Sequence, residues 1–167
     1  METDEKTIVV VRHAKSDWTT DEADFDRPLA PRGRRDARAL GEILAEYDID
    51  LLWCSPARRT METWEQACLS GAAASRMDTR STFYDTWSTA LLNEMTTLDD
   101  SITTLAIINH QPTVGNLVVS LAQPSPLAER AGTVFPTASI AVLTHPGPWE
   151  AILQGDCVLT RFESPRG

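Results

Sequence analysis

Three apolar runs, each ending in polar residues and each followed by helical periodicity, predict an α/β fold. The architecture they imply is a three-layer sandwich, with a mostly parallel central sheet flanked by helices. The runs cover residues 8–11, 50–54 and 104–108. Each stops at Arg, His or Ser, so the sheet would deliver these side chains to the carboxyl edge of its strands.

The elements follow in order. Ile8, Val9, Val10 and Val11 are β-branched and form a strand that ends at Arg12-His13. Residues 17–27 read as a polar loop rich in Asp. A helix is predicted over 31–47, with Pro31 in its first turn and Ala37, Leu40, Leu44 and Tyr47 on one face. The second strand ends at Ser55-Pro56-Ala57-Arg58-Arg59, and the second helix is expected to start with Ser55 as N-cap and Pro56 at its first position. The third strand ends at Asn109-His110-Gln111-Pro112, and a third helix covers 113–122. Residues 123–137, with three prolines, read as a long loop. Residues 139–144, 149–153 and 157–162 read as closing strands, the last two flanking a Gly155-Asp156 hairpin turn. No internal repeat or low-complexity linker interrupts this order. The 167 residues fit one domain, 1–167, with a sizeable core.

Composition narrows the functional classes. Hydrophobic residues make up 42% and charged residues 23%, ordinary for a globular chain. The net charge of −9 argues against a nucleic-acid partner, which would need a basic balance or stripe. No apolar stretch of about 18 residues exists, so no membrane span is expected. The acidic start, Met1-Glu2-Thr3-Asp4-Glu5-Lys6, does not resemble a signal peptide. Cys54, Cys68 and Cys157 are scattered and odd in number, which reads as free thiols in a reducing cytoplasm. Cys54 is taken as a small core residue. Only Lys6 and Lys15 of the 15 basic residues are lysines; GC-rich coding or oxyanion recognition would each give that arginine bias.

Two His and at least two Arg would converge at the strand ends. Such a site favours a dianion, and the phosphoryl group is the commonest biological one. Arg12 can hold phosphate bidentately, and His13 can attack phosphorus or carry its proton. The chain lacks a Gly-x-x-x-x-Gly-Lys loop, which argues against ATP hydrolysis by a P-loop mechanism. His13 and His110 alone make a poor metal site, because neighbouring arginines would repel a cation. Neither a metal nor another cofactor is expected.

These motifs together carry a resemblance. Arg12-His13-Ala14-Lys15-Ser16-Asp17-Trp18 resembles the Arg-His-Gly signature of the histidine phosphatase superfamily, with Ala14 in place of the usual Gly. The same segment is similar to the SixA-like phosphohistidine phosphatase branch of that phosphoglycerate mutase-like superfamily. Arg27-Pro28-Leu29-Ala30-Pro31-Arg32-Gly33, Ser55-Pro56-Ala57-Arg58-Arg59-Thr60-Met61-Glu62-Thr63 and Asn109-His110-Gln111-Pro112-Thr113-Val114 resemble its later motifs, in the right order. The resemblance implies that His13 is the transiently phosphorylated nucleophile. It implies that Arg12 and Arg59 bind phosphate and that His110 is the second catalytic His. Counting from Ser55 selects Arg59, with Arg58 left at the surface. The family's mid-chain Glu, which protonates the leaving group, has no clear match; Asp85 and Asp17 are the candidates. Thr19 stands where mutases tend to carry a phosphate-contacting Asn.

The implied activity is hydrolysis through a phosphohistidine enzyme intermediate, with phosphohistidine protein or phosphoramidate as substrate. An imidazole leaves more readily than an alkoxide, so a missing acid is less damaging there. A small-molecule phosphomonoesterase is the alternative, acting on a small phosphorylated metabolite. A non-catalytic phosphoprotein-binding module would keep the arginines without needing both His13 and His110. Other polar residues have plain structural readings. His145 reads as a turn residue, and Asp24 and Asp26 as solvated loop carboxylates. Pairing with Asp24, Asp26 or Asp36 would explain Arg32, Arg34, Arg35 and Arg38 at a helix start. Guidance of an anionic protein substrate would be the functional reading of the same cluster. Trp18, Trp53, Trp64, Trp87 and Trp149 read as core or rim.

Overall fold

Six strands build one sheet: β1 (Lys6–Arg12), β2 (Ile49–Cys54), β3 (Ala74–Thr79), β4 (Thr104–Asn109), β5 (Ile140–His145) and β6 (Val158–Glu163). Their order is β3-β2-β4-β1-β5-β6 in the computed structural model, which describes residues 5–167. The acidic Met1, Glu2, Thr3 and Asp4 lie outside the described residues. β3, β2, β4 and β1 pair parallel, and β5 runs antiparallel between β1 and β6. Among the described residues, five α-helices flank the sheet: α1 (Pro31–Leu44), α2 (Arg58–Cys68), α3 (Ser88–Met95), α4 (Thr113–Leu121) and α5 (Pro126–Thr133). This is the α/β sandwich with a mostly parallel sheet that the apolar runs predict.

The three predicted strands are β1, β2 and β4, and they lie side by side at the centre. Their apolar residues are buried on both faces, as crossover helices require. Alternation sorts them. Ile8, Val10, Leu51, Trp53, Leu105 and Ile107 pack with Leu91 of α3, Leu117 of α4 and Ala131 of α5. Val9, Val11, Leu52, Cys54, Ala106 and Ile108 pack with Leu40 and Leu44 of α1 and Ala67 of α2. A fully buried side chain of this size contributes roughly 1.5–3 kcal/mol. The strand ends therefore rest on the most firmly packed part of the molecule.

Several local expectations are corrected. Residues 123–137 are not all loop, because α5 lies within them; Ser125 caps it, its Oγ accepting from Ala128 N at 3.0 Å, and Pro126 opens the first turn. Residues 149–153 are not a strand. Trp149–Ala151 forms a single 3-10 turn, because buried Trp149 donates from Nε1 to the Ile102 carbonyl (2.7 Å) and from its backbone N to Asp100 Oδ1 (3.0 Å). Gly155 therefore turns the chain at φ +74° without a hairpin. α2 starts at Arg58, three residues after the expected cap, since Ser55 is engaged elsewhere. α1 ends at Leu44 rather than 47. β3 and α3 were not predicted: β3 is a polar edge strand, mostly exposed, with no apolar alternation to mark it.

α1 and α2 meet at Gly41. A Cβ there would lie 2.2 Å from the Ala67 carbonyl oxygen, backbone that cannot rotate away. Gly41→Ala should destabilise the protein by about 1–3 kcal/mol, since overpacking outweighs the ~1 kcal/mol gain in helix propensity. Urea denaturation should show a lower midpoint at unchanged slope.

Candidate active site

Register brings the motifs together. Arg12 is opposite Asn109 across β1 and β4, and Cys54 is opposite Ile108 across β2 and β4. The next residues, His13, Ser55 and His110, thus share one sheet edge, where open α/β sheets bind ligands. His13 N donates to the Asn109 carbonyl at 3.1 Å, Arg12 N to the Ser139 carbonyl at 3.1 Å, and Ala138 N to the His13 carbonyl at 3.0 Å. The His13 and His110 ring centroids are 5.4 Å apart.

His13 Nδ1 sits 2.7 Å from the Ala14 carbonyl oxygen. A carbonyl only accepts, so Nδ1 carries the hydrogen and Nε2 keeps a lone pair. Burial lowers the His13 pKa to about 3; the Ala14 hydrogen bond opposes this, and the charges of His110, Arg59 and Arg12 add to it. His110 falls to about 4, through burial and then Arg59. Both rings are neutral near pH 7.

His110 is held at both ends. Its backbone N donates to Asn109 Oδ1 (2.8 Å), and Asn109 Nδ2 donates to the Phe83 carbonyl (2.9 Å). Its Nε2 lies 2.7 Å from Ser55 Oγ. If the Ser55 hydroxyl donates there, Nδ1–H is a free donor. Arg12 is anchored by Nη1 donating to the Phe135 carbonyl (2.9 Å). Arg59 is anchored by Nη1 to the Asp24 carbonyl (2.7 Å) and Nη2 to Asp24 Oδ2 (3.1 Å). The Nε atoms of Arg12 and Arg59 and the Nδ1 of His110 are buried without a protein partner. Unmade buried hydrogen bonds cost about 1–3 kcal/mol each. All three residues line one pocket, where guanidinium and imidazole groups suit the charged oxygens of a transferring phosphoryl group.

α2 ties Arg59 to the His13-Ala14 segment. Ala14 N donates to Thr63 Oγ1 (3.0 Å), which donates to the Arg59 carbonyl (2.7 Å). Glu62 Oε1 accepts from Leu29 N at 3.0 Å. The spacing of Arg59, Glu62 and Thr63 thus serves the helix's contacts with the 14–29 segment.

The pocket, about 220 Å³, is lined by His13, His110 and four cations, Arg12, Lys15, Arg27 and Arg59, among others. No carboxylate lines it among the described residues. It is a positive focus within a chain of net charge −9. Asp24 lies behind the cations. It accepts from Tyr84 Oη (2.5 Å), Arg27 Nη1 (2.8 Å) and Arg59 Nη2 (3.1 Å), and these bonds, led by Tyr84, hold its carboxyl well below the usual range. Arg27 also stacks on Trp18, 3.7 Å from the ring centroid, and donates from Nε to Ser16 Oγ (3.2 Å).

The structure thus gathers Arg12, His13, Arg59 and His110, and it adds Arg27, Lys15, Asp24 and Tyr84. Arg27 stood in a quoted motif without a role, and Asp24, an exposed loop carboxylate as expected, also brackets Arg27 and Arg59. Asp85 lies outside this pocket and lines the neighbouring one. Asp17 is half-buried, lines neither, and its carboxylate accepts from Thr19 Oγ1 (2.6 Å) and N (2.9 Å), which lower its pKa. Thr19 thus bonds Asp17. Arg58 is exposed and pairs with Glu22 (3.2 Å) and Glu62 (3.7 Å). Of the α1 cations, Arg32 pairs with Asp36, whereas Arg34 and Arg38 bond the Leu29 carbonyl and Gln66. His145 is not a turn residue; it ends β5, buried, with Nε2 3.0 Å from the Pro148 carbonyl. Burial pushes the Cys54 thiol up to about 12, so it is inert near pH 7. Among the described residues no group of three or more His, Cys, Asp and Glu is placed to hold a metal ion, and no helix is long and apolar enough to cross a membrane.

A neutral, oriented histidine among guanidinium groups is an arrangement suited to phosphoryl transfer. Residues 8–84 match the sequence model of the histidine phosphatase superfamily (branch 1). An uncharacterised protein of Mycobacterium tuberculosis is 35% identical over 164 residues, covering 93% of this chain and all of the relative. A solved structure from Nakamurella multipartitia, assigned as a phosphohistidine phosphatase SixA, is 27% identical with a TM-score of 0.80, covering 96% of each chain. The structure of the protein histidine phosphatase SixA complexed with tungstate shares the fold, with a TM-score of 0.78, 21% identity, and coverage of 95% of this chain and 97% of that one. The chain belongs to the histidine phosphatase superfamily, in its SixA-like branch, and is a phosphatase.

Arg59→Ala should lower kcat/KM for phosphoramidate by about a hundredfold or more, the usual loss for a transition-state donor. Arg58→Ala should stay within a fewfold of wild type, since Arg58 and its partners Glu22 and Glu62 do not line the pocket. Steady-state kinetics of the two variants, side by side, checks the assignment; equal losses would contradict it.

Proposed function

We propose that this phosphatase removes the phosphoryl group from phosphohistidine in a protein, through a phosphohistidine intermediate on His13. The observation that carries the reading is a pocket with a neutral, oriented imidazole, two clamped arginines that each keep an Nε–H without a protein partner, and no lining carboxylate among the described residues. The likeness to the Nakamurella multipartitia protein supports the same substrate class.

His13 Nε2 attacks phosphorus in line, while Nδ1–H stays on the Ala14 carbonyl. Arg12, Arg59 and His110 each meet one equatorial oxygen. The bond to the leaving nitrogen breaks, and its electron pair stays with the departing imidazole. Water then attacks the phosphoryl group on His13, releasing inorganic phosphate and the neutral ring. Arg27 and Lys15 add positive charge at the pocket wall. A positioned general acid supplies about 10²–10⁴-fold in such reactions. Without one in the pocket, an alkoxide must leave unprotonated, whereas an imidazole already protonated at its distal nitrogen leaves as a neutral base. Substrate choice in this reading follows from the missing acid. Asp17 takes no acid role in it, because its carboxylate faces Thr19 rather than the pocket.

Brief incubation with labelled phosphoramidate, followed by quenching, should trap an acid-labile, alkali-stable phosphoryl adduct. The adduct should vanish in His13→Ala. An adduct that persists in that variant places the nucleophile elsewhere.

A further inference from the structure

A second cavity of about 260 Å³ adjoins the phosphate pocket. The two share His110 and Gln111, and the second is otherwise lined by Tyr84, Asp85, Thr86, Trp87 and the start of α3 and α4. His13 lines only the first. The rings run in sequence: His13 to His110 is 5.4 Å, and His110 to Tyr84 is 5.8 Å, edge-on. The second cavity therefore adjoins the His13 pocket along His110 and Gln111, on a wall that His13 does not form. In-line displacement puts the leaving group on the side of phosphorus away from the attacking atom. Trp87 is 76% exposed at this rim, a large apolar side chain that the core does not need.

We infer that this second cavity is the leaving-group subsite, and that it takes the imidazole of a phosphohistidine side chain. The inference rests on the proposed phosphohistidine activity. A volume of about 260 Å³ is large enough for an imidazole ring, and Trp87, Tyr84 and His110 give the cavity an aromatic lining. Asp85 offers the polar contact. Its carboxylate accepts the N–H of the ring nitrogen not bonded to phosphorus. That contact favours the ring form protonated at the distal nitrogen. When His13 Nε2 bonds phosphorus, the substrate's P–N bond breaks and its electron pair returns to the departing nitrogen. The ring leaves as neutral imidazole, its distal N–H still on Asp85. Asp85 thus donates no proton, unlike the family's mid-chain Glu; it stabilises a leaving group that arrives already protonated.

Trp87 and Asp85 are both exposed, so Trp87→Ala and Asp85→Asn should keep the fold, which circular dichroism verifies. The measured quantity is the ratio of kcat/KM for a histidine-phosphorylated peptide to that for phosphoramidate, whose leaving group has no ring. A tyrosine-phosphorylated peptide of the same sequence is the third substrate. Each variant should lower the ratio about tenfold or more. Asp85→Asn should also displace the pH profile of the phosphohistidine reaction towards lower pH, because the protonated ring loses its partner. Unchanged ratios in both variants overturn the subsite. Equal losses with the phosphotyrosine peptide overturn the imidazole assignment. Turnover of phosphoramidate by wild type without turnover of the phosphohistidine peptide overturns the subsite while leaving the His13 chemistry in place. No turnover and no His13 adduct with any substrate overturns the functional reading itself.

Discussion

The hydrogen bond from His13 Nδ1 to the Ala14 carbonyl settles which nitrogen can act. A histidine ring can rotate and can carry its proton on either nitrogen. Here both freedoms are removed by one acceptor that cannot donate. Ala14 is itself fixed, its N–H bonded to Thr63 of α2, and Thr63 is bonded back to the Arg59 carbonyl. His13 and Arg59 are thus oriented by one short chain of contacts. Close packing of α1 on α2, at Gly41, keeps that chain in register with the sheet.

Charge is arranged in two layers. Cations face the pocket, and Asp24 lies behind them with Tyr84, close enough to hold Arg27 and Arg59 but outside the reaction space. Burial and the arginines lower the pKa of His13 and His110. A dianion entering such a site meets neutral imidazoles and fixed guanidinium groups, with little reorganisation needed. The same lowering has a consequence for the fold. Both rings have folded-state pKa values below the ordinary His value, so the unfolded chain binds more protons between the two. Stability is fully present above the ordinary value of about 6.5 and is lost as pH falls towards the folded values, by up to ~1.4 kcal/mol per pH unit for each ring.

The strands that carry the site were legible because parallel sheet strands are buried on both faces. Continuous β-branched and aliphatic runs such as Ile8 to Val11 have no other simple reading. Arg12, His13, Arg59 and His110 were legible because they abut those strands and match ordered motifs. Asp24, Lys15 and Tyr84 were not, since their roles depend on a loop folding back over 60 residues of separation between Asp24 and Tyr84. Ser55 was read as a helix cap, yet its hydroxyl lies at His110, a contact made between strand ends that sequence spacing cannot reveal. β3 was hidden by its polarity at the sheet edge. Residues 149–151 misled in the opposite direction: Trp149 is apolar and buried, but its indole N–H needs the Ile102 carbonyl, and that bond curls the segment into a turn.

The tautomer of His13 is the most direct test of this account. Nitrogen-15 NMR of the histidine rings, with His13→Gln used to assign the signal, reads it without any substrate. The account predicts that Nδ1 of His13 carries the hydrogen, Nε2 is unprotonated, and neither shift moves between about pH 5 and 8. A hydrogen on Nε2, or a titration near the ordinary histidine value of about 6.5, would contradict it.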